Sequence, residues 1–362
     1  MTPTGRGKNS YIFAPERRRQ ERRHLLRRIL LIGIPLLIAI FFTLNIIVSR
    51  QVKLERISVT VLNLPSDLES YSILHISDLH GAELGEHQKT IQAALGSTRY
   101  SCVVMTGDML GKDGDVEPLL DLVALLSPDK PIYYIPGDMD GSFIDSFAHD
   151  SLSVYTPWAQ KLADAGVTLL DVPVSETRNK GTIWFIPEDL YTLDLDSAEA
   201  IYRGQLSAMN QNAASLTADD AALRRAVEYQ IHRIETVREL RVRIAPEDMQ
   251  VVLTHTPLSE SYIHECFNLS GKTDYFSMRY AGLILAGHYN GGQWRLPGAG
   301  PVYVPEMGWF PEDSEVQGLS FPAGIPQYIS PGLGSDPHYT WQPGRVFNRP
   351  TITLITLTRN AV

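Results

Sequence analysis

The sequence predicts an α/β domain of short parallel strands with helices on two faces, carried behind one N-terminal transmembrane helix. Three observations lead there. Ile29 to Val48 runs twenty residues without a charge, directly after a cluster of arginines. Short apolar runs then alternate with amphipathic ones, the order in which parallel strands and their covering helices follow each other. Finally, five of the apolar runs stop at aspartate or histidine, most of them beside glycine.

The apolar segment comes first. At about 1.5 Å per residue, a helix of that length matches a hydrocarbon core of about 30 Å. Gly33 and Pro35 are tolerated in such a helix. Arg17, Arg18, Arg19, Arg22, Arg23, Arg27 and Arg28 precede it. The positive-inside rule therefore expects residues 1–28 in the cytoplasm, 29–48 as a single-pass anchor in the cell membrane, and the body outside. Ser49-Arg50-Gln51-Val52-Lys53 offers no small-x-small cleavage site, so the anchor is expected to stay uncleaved. The run Arg22-Arg23-His24-Leu25-Leu26-Arg27 loosely resembles a twin-arginine export signal, a route that gives the same topology.

Charge is placed unevenly over the 362 residues, whose net charge is -9. The first fifty carry ten Arg/Lys and two Asp/Glu, leaving 22 basic and 39 acidic side chains for the rest. A body this acidic argues against nucleic acid, because it has no positive reserve to neutralise phosphates. It fits anions bound only where metal ions reverse the local charge. Membrane lipid is expected to be met through the anchor, and no obligate protein partner is implied. Two cysteines, Cys102 in a core strand and Cys266 in an expected loop, define no disulfide framework.

In order, residues 50–56 read as a polar linker, and Ile57 to Leu62 as a first strand with a turn around Pro65. Tyr71 to Ile76 is a buried strand ending at Asp78 and His80, and Glu86 to Leu95 a helix. Cys102 to Thr106 ends at Gly107-Asp108. Asp115 to Leu126 carries the helical stripe Val116, Leu119, Leu120, Val123 and Leu126. Ile132 to Ile135 ends at Pro136-Gly137-Asp138-Met139-Asp140, before a helix near Pro157 to Ala165 and a strand from Val167 to Val172. Around 187–245 the pattern turns helical, with Thr217-Ala218-Asp219-Asp220 as an N-terminal cap and a stripe of Leu223, Val227, Ile231, Ile234 and Val237. This insertion either packs on the sheet or caps the site. Gln250 to Leu253 ends at His255, and Leu283 to Ala286 at Gly287-His288-Tyr289-Asn290. Val302 to Val304 and Thr351 to Leu357 read as closing strands. Between them, 305–349 is a Gly- and Pro-rich loop region holding Trp309, Tyr328, Tyr339 and Trp341.

One aspartate and histidine beside glycine could be turn chemistry. Five such strand ends in succession point instead to a metal site, because ligands of α/β folds gather at the carboxyl ends of strands. Mixed carboxylates and imidazoles suit Mn, Fe, Zn or Co, and a bridging carboxylate could hold two ions about 3.5–4 Å apart across a phosphoryl group.

On these residues the chain resembles the calcineurin-like metallophosphoesterases. The resemblance points to a membrane-associated bacterial branch, similar to phosphoesterases of lipid-linked phosphates and to UDP-diacylglucosamine pyrophosphohydrolases. The family's Asp-x-His, Gly-Asp, Gly-Asn-His-Asp/Glu, lone His and Gly-His-x-His motifs fall on Asp78 and His80, Gly107-Asp108, Gly137 to Asp140, His255, and Gly287 to Asn290. The Gly291-Gly292-Gln293 run, the tail Gly332-Leu333-Gly334, and Arg345 to Pro350 are similar too, so the likeness covers residues 57–360. It implies a four-layered α/β/β/α sandwich holding two divalent ions, Mn first and Zn, Fe or Mg as alternatives. One ion would take Asp78, His80 and Asp108 with Asn290. The other would take Asp108, Asp138, His255 and His288, with Asp108 bridging. Asp78, Asp108 and Asp138 would then be the catalytic carboxylates.

Two positions depart from the pattern: Asp138-Met139 stands for Asn-His, and Asn290 for the last histidine. A carboxylate at 138 still ligates, whereas an amide at 290 is a weaker, harder donor. A thioether at 139 cannot protonate a leaving group. The implied activity is hydrolysis of a phosphodiester, pyrophosphate or phosphomonoester, on a small-molecule or lipid-linked envelope substrate. The alternative is a degenerate member that binds metal or phosphate in a structural role. His75 is expected to support the site from the strand, Asp140 to anchor its loop, and Tyr289 to face the cleft or pack. Arg295 and Arg345 are candidate phosphate contacts by charge. His264 lies in sequence near a site loop. His87, His149, His232 and His338 read as ordinary histidines.

Overall fold

The computed structural model describes residues 22–146, 153–211, 217–270, 275–337 and 344–359. Arg17, Arg18, Arg19, His149, His338, Tyr339 and Trp341 lie outside the described residues. The chain divides into two units, Met1–Val48 and Ser49–Val362. Helix α1, Arg22–Ser49, is long and apolar enough to cross a membrane. One π-helical turn, Ile29–Gly33, interrupts it. Pro35 explains that turn: it has no N–H to donate to Leu31, and its ring crowds that carbonyl.

The second unit holds two mixed six-stranded sheets. The first contains β1 (Lys53–Thr60), β2 (Ser72–Ile76), β3 (Cys102–Thr106), β4 (Ile132–Ile135) and β5 (Val167–Leu169). The second contains β6 (Val174–Arg178), β7 (Gly181–Pro187), β8 (Met249–Leu253) and β9 (Ala281–Ala286). Two short hairpins follow, β10 (Arg295–Leu296) with β11 (Gly300–Pro301), and β12 (Tyr303–Val304) with β13 (Gly308–Trp309). β14 (Gly318–Ser320) and β15 (Gln327–Ile329) complete the second sheet, and β16 (Thr351–Thr358) returns to the first. The strand orders are β1-β16-β2-β3-β4-β5 and β14-β15-β9-β8-β7-β6.

Helices cover both outer faces. α2 (Lys89–Leu95), α3 (Glu117–Leu125) and α4 (Pro157–Asp164) lie on the first sheet, where Ile91, Leu119, Leu122 and Leu162 pack with Leu74, Val103, Met105 and Tyr134. Among α5 (Leu195–Gln211), α6 (Ala218–Arg241) and α7 (Glu260–Leu269), the last two send Ile234, Val237 and Ile263 onto Trp184, Val252 and Ile284 of the second sheet. The inner faces meet through Ile73, Val104, Ile135, Phe185, Val251, Leu283 and Ile355. These layers form the α/β/β/α sandwich. Neighbouring residues of one strand enter different apolar layers, which is why the strands read as unbroken hydrophobic runs.

Several expectations need correction. The strand–helix order implied parallel strands, but both sheets are mixed, with β16 antiparallel to β2 and β7 antiparallel to β6. The expected linker at 50–56 contains the start of β1, which pairs with β16 from Lys53↔Thr351 onward. β16 is thus an interior strand, buried at seven of eight positions, Thr351, Thr353 and Thr358 among them. Cys266 lies buried in α7 rather than in a loop, and both cysteines are free. Thr217 and Asp220 form the capping box that starts α6.

Candidate metal centre

Five strands of the two sheets, β2, β3, β4, β8 and β9, deliver their carboxyl ends to one place. Cross-sheet hydrogen bonds fasten it there. His255 Nδ1 lies 2.8 Å from the Thr106 carbonyl, and the His288 N–H donates to Asp78 Oδ1 at 2.9 Å. The loops turn sharply. Asp78, His80, Asp108, His288 and Asn290 all have positive φ, between 48° and 80°. Non-glycine residues rarely adopt that conformation, which costs on the order of 1–3 kcal/mol each and collects at functional sites. Gly137 permits a close approach: a Cβ there would lie 2.2 Å from Asp108 Oδ1.

The ligand-type atoms fall into two clusters, each within 4.8 Å of one another: Asp78, His80 and Asp108, and Asp138, His255 and His288. Asp108 joins them, with Oδ2 3.2 Å from His255 Nε2. Within the second cluster His288 Nδ1 lies 3.3 Å from Asp138 Oδ2 and 3.3 Å from His255 Nε2. The Thr106 carbonyl can accept only from a protonated Nδ1, so the lone pair of a neutral His255 sits on Nε2, toward the centre.

Electrostatics ask for a cation here. Burial raises the Asp78 carboxyl above its ordinary range. Burial pushes Asp108 upward, but the hydrogen bond and charge of His255, the Met139 N–H and the His80 charge together more than offset it and leave that carboxyl low. Burial alone would lower His255; Asp108 and the Asp78 charge instead lift it to about 9. Asp78 Oδ2 and Asn290 Oδ1 are buried acceptors without a hydrogen-bond partner. Both border Gly332, where a Cβ would sit 3.2 Å and 3.3 Å from them. Unpartnered buried oxygens are costly and rare, and a divalent ion held by this donor set would satisfy them. The residues fit the group.

Asn290 stays at the first cluster, its Nδ2 3.2 Å from His80 Nε2 and 3.3 Å from the His288 carbonyl. Met139 contributes its backbone, donating to Asp108 Oδ1 at 2.8 Å, while its side chain is exposed. Asp140 anchors the loop as expected, accepting from Leu110 N at 2.9 Å, Tyr134 Oη at 2.6 Å and Gly137 N at 2.9 Å. His75 lies between the sheets, 2.9 Å from Thr106 Oγ1, and burial holds it neutral with a pKa of about 3. Tyr289 packs with Val304, Val316 and Ile329, its ring edge-on to His288.

Both candidate arginines are engaged by the protein itself. Arg345 is buried, donating to the carbonyls of Gly334, Pro331 and Asn348 and to Asn348 Oδ1. Asn348 in turn donates to the Asn290 carbonyl at 2.7 Å, so Arg345 acts on the centre through the loop. Arg295 bonds the Gly291 carbonyl and pairs with Asp313. His264 is exposed on α7 beside Glu260, and His87 is exposed beside Asp121. Glu306, 3.7 Å from His288 Nε2, was not foreseen. It lies in the Gly- and Pro-rich stretch, where no periodicity marks which side chains turn inward.

A family model described as calcineurin-like phosphoesterase matches residues 71–289, and the chain belongs to that family. No curated protein matches it. Among solved structures it is similar to a phosphopantetheinyl hydrolase from Mycobacterium tuberculosis, at 14% identity over 81% of this chain and 98% of that one, with a TM-score of 0.38. It is also similar to the sulfate thiohydrolase SoxB from Thermus thermophilus, at 10% identity over 82% of this chain, with a TM-score of 0.28. It spans 58% of the latter.

Proposed function

We propose that this chain is a metal-dependent phosphoesterase anchored in the cell membrane. It hydrolyses a phosphodiester, pyrophosphate or phosphomonoester on a small-molecule or lipid-linked substrate outside the cytoplasm. The observation that carries this reading is the pair of ligand clusters joined at Asp108. Two divalent ions so placed would polarise the phosphoryl oxygens and lower the pKa of a water, with Mn as the first candidate. Asp78, Asp108 and Asp138 hold the negative charge that keeps such ions, and the fixed His255 ring keeps its lone pair aimed at them. Residues 29–48 supply the anchor, and the arginines before it favour an outward-facing domain.

The second reading is a degenerate member, and Met139 and Asn290 favour it. Met139 weighs less than its residue type suggests, because its backbone N–H still orients Asp108. Hydrolysis of bis-p-nitrophenyl phosphate, p-nitrophenyl phosphate and a UDP-sugar lipid with Mn, Zn or Mg tests the proposal. Asp108→Asn is expected to lower the rate at least about 100-fold, beyond what supporting residues around a metal usually contribute. Equal rates in variant and parent would refute a metal mechanism.

A further inference from the structure

A cavity of about 370 Å³ opens beside the second cluster, with Asp138 and His255 in its wall. It lies where the ends of β4, β7 and β8 meet α6, so a phosphoryl group held at the centre would extend its substituent into it. Its charge is one-sided. Asp171, Glu188 and Asp189 line it, and among the described lining residues Arg233 is the only lysine or arginine. That guanidinium is committed, donating to the Asp171 carbonyl at 2.7 Å and to Asp189 at 2.6 Å. Asp171 further accepts from the Tyr229 hydroxyl, and Glu188 from that of Tyr262. Neither hydroxyl brings a positive charge. Above about pH 7, where Glu188 is ionised, three carboxylates against one paired arginine leave an excess of negative potential over a wall that also carries Phe143, Leu170, Gln230 and Thr256.

Resting on the phosphoesterase reading, we infer that this cavity receives the substrate's non-phosphate substituent and selects one carrying an ammonium group. The preferred substrates are then phosphoesters of amino alcohols. A second phosphate beyond the scissile one would meet like charge, with no uncommitted lysine or arginine among the described lining residues to receive it. The reaction itself is ordinary hydrolysis. The oxygen of water bonds to phosphorus, the ester P–O bond breaks, and the leaving oxygen departs with the electron pair and takes up a proton.

Calorimetric titration of the Mn-loaded full chain at about pH 8, where Glu188 is ionised, with choline phosphate and with its neutral isostere 3,3-dimethylbutyl phosphate isolates the positive charge without requiring turnover. Choline phosphate is expected to bind about fivefold tighter, the upper end for one partly exposed ion pair. Glu188→Gln should shrink that ratio, and Gln230→Glu, which adds a carboxylate to the same wall, should enlarge it. Equal affinities in the parent, or a ratio that neither variant moves, would overturn the inference. Hydrolysis of bis-p-nitrophenyl phosphate is followed in the same preparation. Its absence counts against the phosphoesterase reading, whereas turnover without an ammonium preference counts against the cavity assignment alone.

Discussion

The two halves of the centre use the same donor types in opposite settings. Asp78 and Asp108 are buried, and backbone amides bind one oxygen of each. His80 joins them on a left-handed turn. Across Asp108, the Asp138 side chain is 66% exposed, lies 4.0 Å from His255 and borders the open cavity. The difference teaches a division of labour. A dry, backbone-held half can keep an ion with little reorganisation, whereas an exposed carboxylate can follow the substrate. By sequence alone the first half is the compromised one, since Asn290 replaces its histidine. In the fold it is the better organised.

The comparison is most severely tested at the contact between the halves. Gly137→Ala pushes a methyl group into Asp108, so hydrolysis should fall at least about 30-fold and both ions should bind more weakly. Elemental analysis of the variant after Mn reconstitution checks this; full metal content would show that the Asp108 geometry is not what matters. A gain of function probes the first half alone. Asn290→His replaces a weak amide donor and should tighten that half about tenfold. Competition with a metallochromic chelator reads the change, and a tightening confined to the second half would contradict the assignment.

The smallest effect lies on the open side. Burial, with help from Asp189, raises Glu188 from 4.5 to about 7. A carboxyl raised on folding binds more protons in the native state than in the unfolded one. Its contribution is therefore complete below the unfolded pKa and is lost as pH rises through about 7. Between about pH 5 and about pH 8 the melting midpoint of the parent should fall about 2 °C further than that of Glu188→Gln. Parallel curves would remove Glu188 as a buried acid of the cavity wall.

How far the sequence reached can be judged at particular residues. Strand ends were legible because a buried apolar run followed by Gly and Asp leaves few alternatives, and Asp78, His80, Asp108, Asp138, His255, His288 and Asn290 converge in the fold. The β6–β7 hairpin was missed because its two-residue turn is Asn179-Lys180, without the glycine that marks such turns. β6 itself is polar and largely unburied. The interior place of β16 was invisible, since a run of Thr alternating with apolar residues reads as a half-exposed edge, whereas three of its four threonines are buried. Arg345 misled for a related reason. Charge suggests a ligand contact, but a guanidinium can equally be buried if carbonyls satisfy it, and only the fold shows which. Glu306 and the acidic cavity wall come from loops and helices far apart in the chain, so no local pattern announces them.

The central claim is a dinuclear centre joined at Asp108 whose buried half binds more tightly. Calorimetric titration of the full chain with Mn tests it most directly, beside His80→Ala and His255→Ala. The account predicts two binding events in the parent, with the tighter one lost in His80→Ala and the weaker one in His255→Ala. A single event, or loss of the tighter one in His255→Ala, would contradict it.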